Sequence, residues 1–434
     1  MREIAVLGAG VAGLAFAQVL AGRRDCQVTV FEKEDVAGGV ARSFCVDGFT
    51  FDFGIHGLYT TDKRVLSLFQ RLMRRRHRVI RVEIRDYCEG RWIRHPLQMN
   101  LGGGLPQPLV LECLQSYLEA RIRGSKRTYR NYQDWCERNL GRVFSERFQF
   151  PYCRKFWTVG PEALTHDWMG PRVRSPSFAE IMEGVLYRQP STAHYVTEVC
   201  YPSRGGFGEY ALALARGINV STRMEIVGIE PNTRALTFAD GGHIRYDALL
   251  TTIPLPSLIS LISGAPANVV RAANDLCWTS LAVVSLGVAR ARVLPFHWVY
   301  AYDAALPFAR LSSPSRWAPR NAPEGASSLQ AEVYFRGAPP NGDQTTEDVL
   351  NALRTMNVLQ KDDEIIAQDF RTLAYANVVY DHRRERALSL IHEYLRSKGI
   401  EWAGRYGNWD YSLIDQVVSD AQAKAVAMMN SWEG

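Results

Sequence analysis

The first apolar stretch, EIAVLGAGVAGLAFAQVLA, is interrupted by glycine at positions 8, 10 and 13. Ile4, Val6 and Leu7 before the glycines predict a short buried strand, and the residues after them predict a helix. CQVTVFE predicts a second strand ending at Glu32, and VDGFTFDFGIHGLY predicts a hairpin. LVLECLQSYLEARI, YQDWCERNLGRVFSERF and FAEIMEGVLYR repeat apolar residues three and four apart and predict helices. YPSRGGFGEYALALA reads as a glycine turn and a helix. MEIVGIEPNTRALTFADGGHIRYDALLTTIP reads as a hairpin with Asp-Gly turn chemistry, then a strand ending near Pro254. Further on, strands (SLAVVSLGVAR, WVYAY, LQAEVYF) mix with helices (EDVLNALRTM, RRERALSLIHEYLRS).

Composition adds mostly exclusions. The chain is 47% hydrophobic and 22% charged, the balance of a soluble globular protein. A net charge of +6 is too small to imply nucleic acid as a partner. The densest basic run, RRRHR from Arg74 to Arg78, reads as a solvated helix end because no aromatics interleave it. Eight scattered cysteines form no CxxC pair, and no histidine cluster has metal spacing. Neither a disulfide framework nor a metal site is expected, and reduced thiols suit a cytoplasmic protein. No uninterrupted apolar run approaches the roughly 18 residues of a membrane span. The glycines in the apolar start, and AGRRD after it, argue against a leader.

Gly8, Gly10 and Gly13 make a G-x-G-x-x-G turn between strand and helix. The first glycine permits the turn, the second lets backbone approach a pyrophosphate, and the third lets helix and strand pack closely. The helix N-terminus then offers unpaired N–H groups to phosphate. Glu32, 19 residues past Gly13, is placed to accept from the ribose hydroxyls of an adenosine. KEDVAGGVARSF follows, with Gly38, Gly39 and Arg42. This segment resembles the FAD-binding region of the flavoenzyme superfamily that includes amine oxidases and protoporphyrinogen oxidase. The resemblance implies a second cofactor element near the C-terminus, a Gly-x-x-x-Asp-type loop and helix. GRYGNWDYSLIDQ, with Gly404, Arg405 and Asp415, answers to it. The expected fold is α/β: a discontinuous Rossmann-like FAD-binding domain (residues 1–75, 200–265 and 395–434), a helical substrate-capping domain (100–195) and a mixed-sheet substrate domain (76–99 and 266–394).

Four stretches go further: WIRHPLQMNLGGGLP, YQDWCERNLGRVFSERFQFPYCRKFWTVGPEALTHDWMGPRV, FHWVYAYDAALPFARLSSPSRWAP and GRYGNWDYSLIDQ. In register over most of the chain, they resemble the UDP-galactopyranose mutase family, particularly its long eukaryotic form. The resemblance implies a reduced-FAD isomerase that interconverts pyranose and furanose forms of a nucleotide diphosphate sugar. Flavin N5 attacks the anomeric carbon as the nucleotide departs, and NADPH or NADH is the possible reductant. It implies diphosphate contacts from Arg172 (or its neighbour Arg174), Arg310, Tyr375 and Tyr411. Trp317 stands where long forms carry a tyrosine, Arg405 lies by the flavin or its pyrophosphate, and His56 lies beside the ring. Tyr152, Trp157 and Gln98 fall in the uracil region. There the chain departs from the family: His95 replaces a tyrosine, Cys153 an asparagine that reads the base edge, and Leu413 an acid of bacterial members. Losing a base-reading amide alters base choice. A homo-oligomer also fits the resemblance. An FAD-dependent oxidoreductase of the amine-oxidase type stays open, because the same N5 accepts hydride, and so does a flavin protein without catalysis.

Overall fold

The structure is a computed structural model that describes residues 1–74, 76–124, 128–170, 173–186 and 196–433. Arg2–Leu7 is the central strand of a five-stranded sheet. The order is Ile400–Trp402, Ala248–Thr251, Arg2–Leu7, Cys26–Phe31, Asn219–Ser221, and every pair is parallel. Covered on both faces, the central strand buries Ile4, Ala5, Val6 and Leu7 in succession rather than alternately. Helix Val11–Leu20 follows and packs on the C-terminal helix Ile414–Glu433. Ala12, Ala15, Ala421 and Ala425 are buried in that layer, and their small side chains let the helices approach closely.

A second, seven-stranded sheet is mixed. Its order is Ile365–Val378, Trp278–Val288, Ser327–Phe335, Arg310–Ser312, Trp298–Ala301, Ile84–Cys88, Arg91–Arg94. Its pairs are antiparallel except Trp298–Ala301 with Ile84–Cys88. Between Ile365–Val378 and Trp278–Val288 the register slips. Asn377 faces Thr279 and Leu373 faces Leu281, so four steps on one strand match two on the other. Such a bulge re-aims the side chains beside it.

The 100–186 stretch is helical where described, with Gln107–Ile122, Tyr132–Leu140, Phe150–Trp157 and Phe178–Leu186 as its main helices. The hairpin Ser43–Val46/Phe49–Asp52 turns at Asp47 and Gly48, both at positive φ (47° and 83°), as a two-residue hairpin loop requires. The basic run departs from expectation. Helix Lys63–Met73 stops before it, Arg74 takes a left-handed conformation, and His77–Arg81 is a strand paired with Glu198–Pro202. Capping by Arg74 and the β-bonding of residues 77–81 override the helical reading. All eight cysteines are free thiols. Among the described residues no cluster of His, Cys, Asp or Glu could hold a metal, and no helix is long and apolar enough to cross a membrane.

One half-buried lysine joins helix and mixed sheet. Lys155 Nζ, on Phe150–Trp157, donates to the carbonyls of Ala301 (2.5 Å), at the end of its strand, and of Asp303 (2.8 Å) and Phe308 (3.2 Å), in the connection that follows. Lys155→Met keeps the chain length and removes the donors. It is expected to cost about 3 kcal/mol, from carbonyls left unpaired. Urea unfolding reads this as a lower midpoint, and an unchanged midpoint would contradict the clamp.

Candidate functional site

The glycine turn has the geometry of a dinucleotide site. A Cβ on Gly13 would lie 2.1 Å from the Gly8 carbonyl oxygen, so only glycine lets the helix sit this close to the strand. A Cβ on Gly10 would meet nothing within 4 Å, so the helix N-terminus opens onto free space. That terminus has no side-chain cap and no acid in its first turn, and its N–H groups remain for an anion. The Gly38 N–H donates to the Ala9 carbonyl at 2.8 Å, and a Cβ on Gly39 would come within 3.2 Å of Gly10 Cα. Two glycine runs thus meet backbone to backbone. Glu32, buried at the end of its strand, accepts from the Ala9 N–H (2.8 Å) and the Glu34 N–H (3.1 Å). These bonds fix the carboxylate and leave lone pairs for a diol. Arg42 pairs with Glu34 (3.4 Å) and lies over the Phe53 ring. The residues present fit the adenosine diphosphate portion of FAD.

Beyond this turn lies a cavity of about 190 Å³, walled by the 54–57 loop, the mixed sheet and the 405–414 loop. Its wall contains an ion pair. Glu332, fully buried, accepts from Arg310 Nε (2.5 Å), the Tyr334 hydroxyl (2.7 Å) and the Ile55 N–H (2.7 Å). Arg310 Nη2 also donates to the Tyr334 hydroxyl (2.7 Å), and its guanidinium lies 5.3 Å from the Phe156 ring centroid. Burial alone would lower the Arg310 pKa. The charge of Glu332 and the hydroxyls of Tyr334, Tyr152 and Tyr411 hold it well above the ordinary value. The cation is therefore permanent, and its Nη1 makes no hydrogen bond among the described residues.

The C-terminal loop closes the other side. Gly404, at φ 78°, passes so near the first helix that a Cβ would sit 2.5 Å from Ala12 Cβ. Arg405 Nη2 donates to the Ser412 carbonyl (2.8 Å), with its guanidinium 5.1 Å from the Tyr411 ring centroid. Trp409 is fully buried at φ 51°, a left-handed conformation unusual for a bulky residue. Arg384 grips its carbonyl with Nε (2.9 Å) and Nη2 (2.5 Å), and the His392 ring hydrogen-bonds the Gly407 carbonyl (3.0 Å). Helix Arg384–Ser397 therefore holds the loop in shape.

Of the residues expected in the site, His56, Arg310, Trp317, Arg405 and Tyr411 line this cavity. Trp317 stacks on Trp298 at 5.6 Å. Trp157 lies behind the wall, 5.2 Å from the Tyr411 ring, and Tyr152 packs against Phe156 and Tyr300. Tyr375 lies elsewhere. Its hydroxyl hydrogen-bonds Ser257 (2.9 Å) and its ring stacks on Trp278, while its strand neighbours Ala376 and Asn377 line the cavity. The bulge sets that phase. Gln98 lines a separate small cavity among helices, with Cys113, Tyr117 and Phe144, because the chain turns there through short 3-10 segments. Arg174 pairs with Glu180 at the surface. Arg172 lies outside the described residues. Asp415 accepts from the Gln416 N–H in the first turn of the last helix. Sequence reasoning missed Glu332, Tyr334, Tyr300 and Asn377. The acid of LQAEVYF, in an otherwise apolar buried strand, was the available signal for the first.

His56 stacks on Phe207 at 5.2 Å, and its Nδ1 is 3.2 Å from the Gly54 carbonyl. Burial, then the Arg405 charge, lowers its pKa to about 4. It is neutral at physiological pH. The unfolded chain holds this proton up to about pH 6.5 and the folded chain only to about 4, so folding stability falls as pH drops through that window. In Tm measured from pH 7 to pH 4, His56→Asn is expected to lose part of the wild-type decline. Parallel curves would contradict the neutral buried histidine.

Comparison with known proteins follows the same lines. Coproporphyrinogen III oxidase of Mycobacterium leprae (strain TN) is 24% identical over 312 residues, 68% of this chain and 69% of that protein. A 4,4'-diapophytoene desaturase (4,4'-diaponeurosporene-forming) of Staphylococcus haemolyticus (strain JCSC1435) is 57% identical over 51 residues, only 12% of this chain and 10% of that protein. The crystal structure of a reduced UDP-galactopyranose mutase superposes with a TM-score of 0.93 over 99% of this chain and 94% of that one, at 22% identity, a likeness of fold. The family described as flavin containing amine oxidoreductase matches residues 11–429. With a flavin-type glycine turn, a buried ribose-side acid and a match over nearly its whole length, the chain belongs to the flavin-containing amine oxidoreductase family, an enzyme family whose cofactor is FAD.

Proposed function

We propose that this member of the family is a reduced-FAD isomerase that interconverts pyranose and furanose forms of a nucleotide diphosphate sugar. The observation that carries the reading is Arg310, a permanent cation lining the cavity, with Nη1 uncommitted among the described residues. A planar guanidinium grips phosphate oxygens in pairs, and in a water-poor site it offsets the charge of a departing diphosphate. Arg405 lines the same cavity, with Tyr334 and Tyr411. Two arginines oppose an amine cation and favour an anion. The superposition on the reduced mutase supports the same reading.

Reduced FAD, when bound, supplies the nucleophilic N5 for the anomeric carbon. The chain supplies the rest. Arg310 binds and orients the diphosphate, and Glu332 and Tyr334 keep Arg310 in one rotamer. The Trp298–Trp317 stack and Tyr300 exclude water from the sugar. Neutral His56 holds its polar edge towards the Gly54 backbone without adding charge. NADPH or NADH serves as reductant in this proposal. The substitutions at His95, Cys153 and Leu413 make a base other than uracil part of it. A second reading, an FAD-dependent oxidoreductase, is favoured by the coproporphyrinogen III oxidase relative.

Redox stoichiometry separates the two. Dithionite-reduced protein, kept anaerobic with a panel of nucleotide sugars including UDP-galactopyranose, is expected to yield furanose product by chromatography without consuming an acceptor. Turnover that appears only with oxidised flavin and an electron acceptor would select the oxidoreductase. Arg310→Ala is expected to lose roughly 2–5 kcal/mol of transition-state binding for the nucleotide sugar, read in kcat/KM, because the cation facing the diphosphate is removed and the Glu332 carboxylate is left near it. Unchanged kcat/KM would remove Arg310 from the diphosphate site.

A further inference from the structure

Asn377 is a polar side chain of the cavity wall that the reaction above does not use. It is 5% exposed and stands two residues from Tyr375, just after the bulge in Ile365–Val378. Its backbone N–H is satisfied by the Thr279 hydroxyl at 3.2 Å. Its side-chain Nδ2 is buried and has no hydrogen-bond partner among the described residues. Trp278 and Ser280 spend their side-chain donors on the nearby Ala374 carbonyl, at 3.0 and 2.8 Å. The Tyr406 hydroxyl takes the carbonyls of Tyr375 and Ala376. The local backbone acceptors are thus already engaged.

Buried amides are almost always paired, since an unpaired one keeps the cost of leaving water. In a strand that needs only a residue of this size, Leu or Val would fill the space at no such cost. Asn377 lines the cavity while its Nδ2 is buried and unpaired, and an amide so placed gains its partner when a bound ligand draws the side chain to it. Nδ2 is a neutral donor, so the partner is an acceptor oxygen. The same wall carries Arg310 and Arg405, so it already suits electron-rich oxygens.

We propose that Asn377 is a ligand-positioning residue, giving its amide N–H to an acceptor oxygen of a molecule bound in this cavity. The oxygen belongs either to a flavin carbonyl or to a substrate phosphate, and the proposal holds whichever reaction the cavity serves. Asn377→Leu removes the bond at similar volume. Asn377→Asp replaces the donor by a negative acceptor facing the ligand oxygen. Asn377→Ser keeps a small polar group but loses reach, and serves where Leu does not fold.

The test is binding rather than turnover, so it stands apart from the isomerase reading. FAD affinity is measured on the apoprotein and the flavin absorption spectrum on the holoprotein. UDP affinity is measured by calorimetry on the holoprotein. We expect Asn377→Leu or Asn377→Ser to weaken one ligand about tenfold, and Asn377→Asp to weaken it further. Loss confined to FAD, with a shifted flavin spectrum, assigns the bond to a flavin oxygen. Loss confined to UDP assigns it to phosphate. If wild-type protein does not bind UDP, the FAD measurement alone decides. Folded variants that bind like wild type overturn the proposal, whatever their Tm.

Discussion

The site depends on a charge pair withdrawn from water. Burying Glu332 and Arg310 costs several kcal/mol for each ion, and attraction recovers this only where the geometry is close and further hydrogen bonds support the pair. Here the carboxylate takes three donors from three separate pieces of chain: Arg310, Tyr334 and the Ile55 backbone. The last of these is the reason the pair matters beyond its own energy. Gly54 sits so close that a Cβ would be 2.9 Å from Glu332 Oε1. The loop bearing His56 is therefore drawn against the mixed sheet, and the two halves of the cavity are set at a fixed distance.

The opposite wall is held by a different device. Trp409 in a left-handed conformation is strained, and strain persists only where surroundings over-determine it. The fork of Arg384 on its carbonyl does this, helped by the Asp410 N–H bonded to the Arg405 carbonyl at 2.8 Å. Arg405 and Tyr411 are thereby presented to the cavity from a short loop with little freedom. One wall is positioned by a buried ion pair, the other by a clamped turn, and the ligand space is what remains between them.

The parts legible in the sequence are those in which local chemistry decides geometry. The glycine turn, Glu32 at the end of its strand and the Asp47–Gly48 hairpin each follow from backbone requirements that few residues meet. Arg405 and Tyr411 were legible as a dense polar and aromatic loop. What escaped was phase and tertiary pairing. Tyr375 and Asn377 lie two positions apart on one strand, and the bulge from Leu373 to Asn377, with Tyr375 inside it, decides which residue lines the cavity. Gln98 is diverted by short 3-10 turns that leave no periodic trace. Glu332 was passed over because an acid in a buried strand makes sense only once Arg310, 22 residues away in sequence, is seen beside it.

The central position of Arg2–Leu7 in the parallel sheet has a consequence for biosynthesis. Its neighbour Ala248–Thr251 leaves the ribosome some 240 residues after this strand, and Ile400–Trp402 later still. Until then the first helix lacks Gly404, which will press against Ala12. The glycine turn therefore gains its full set of contacts only once residues past 404 have been translated.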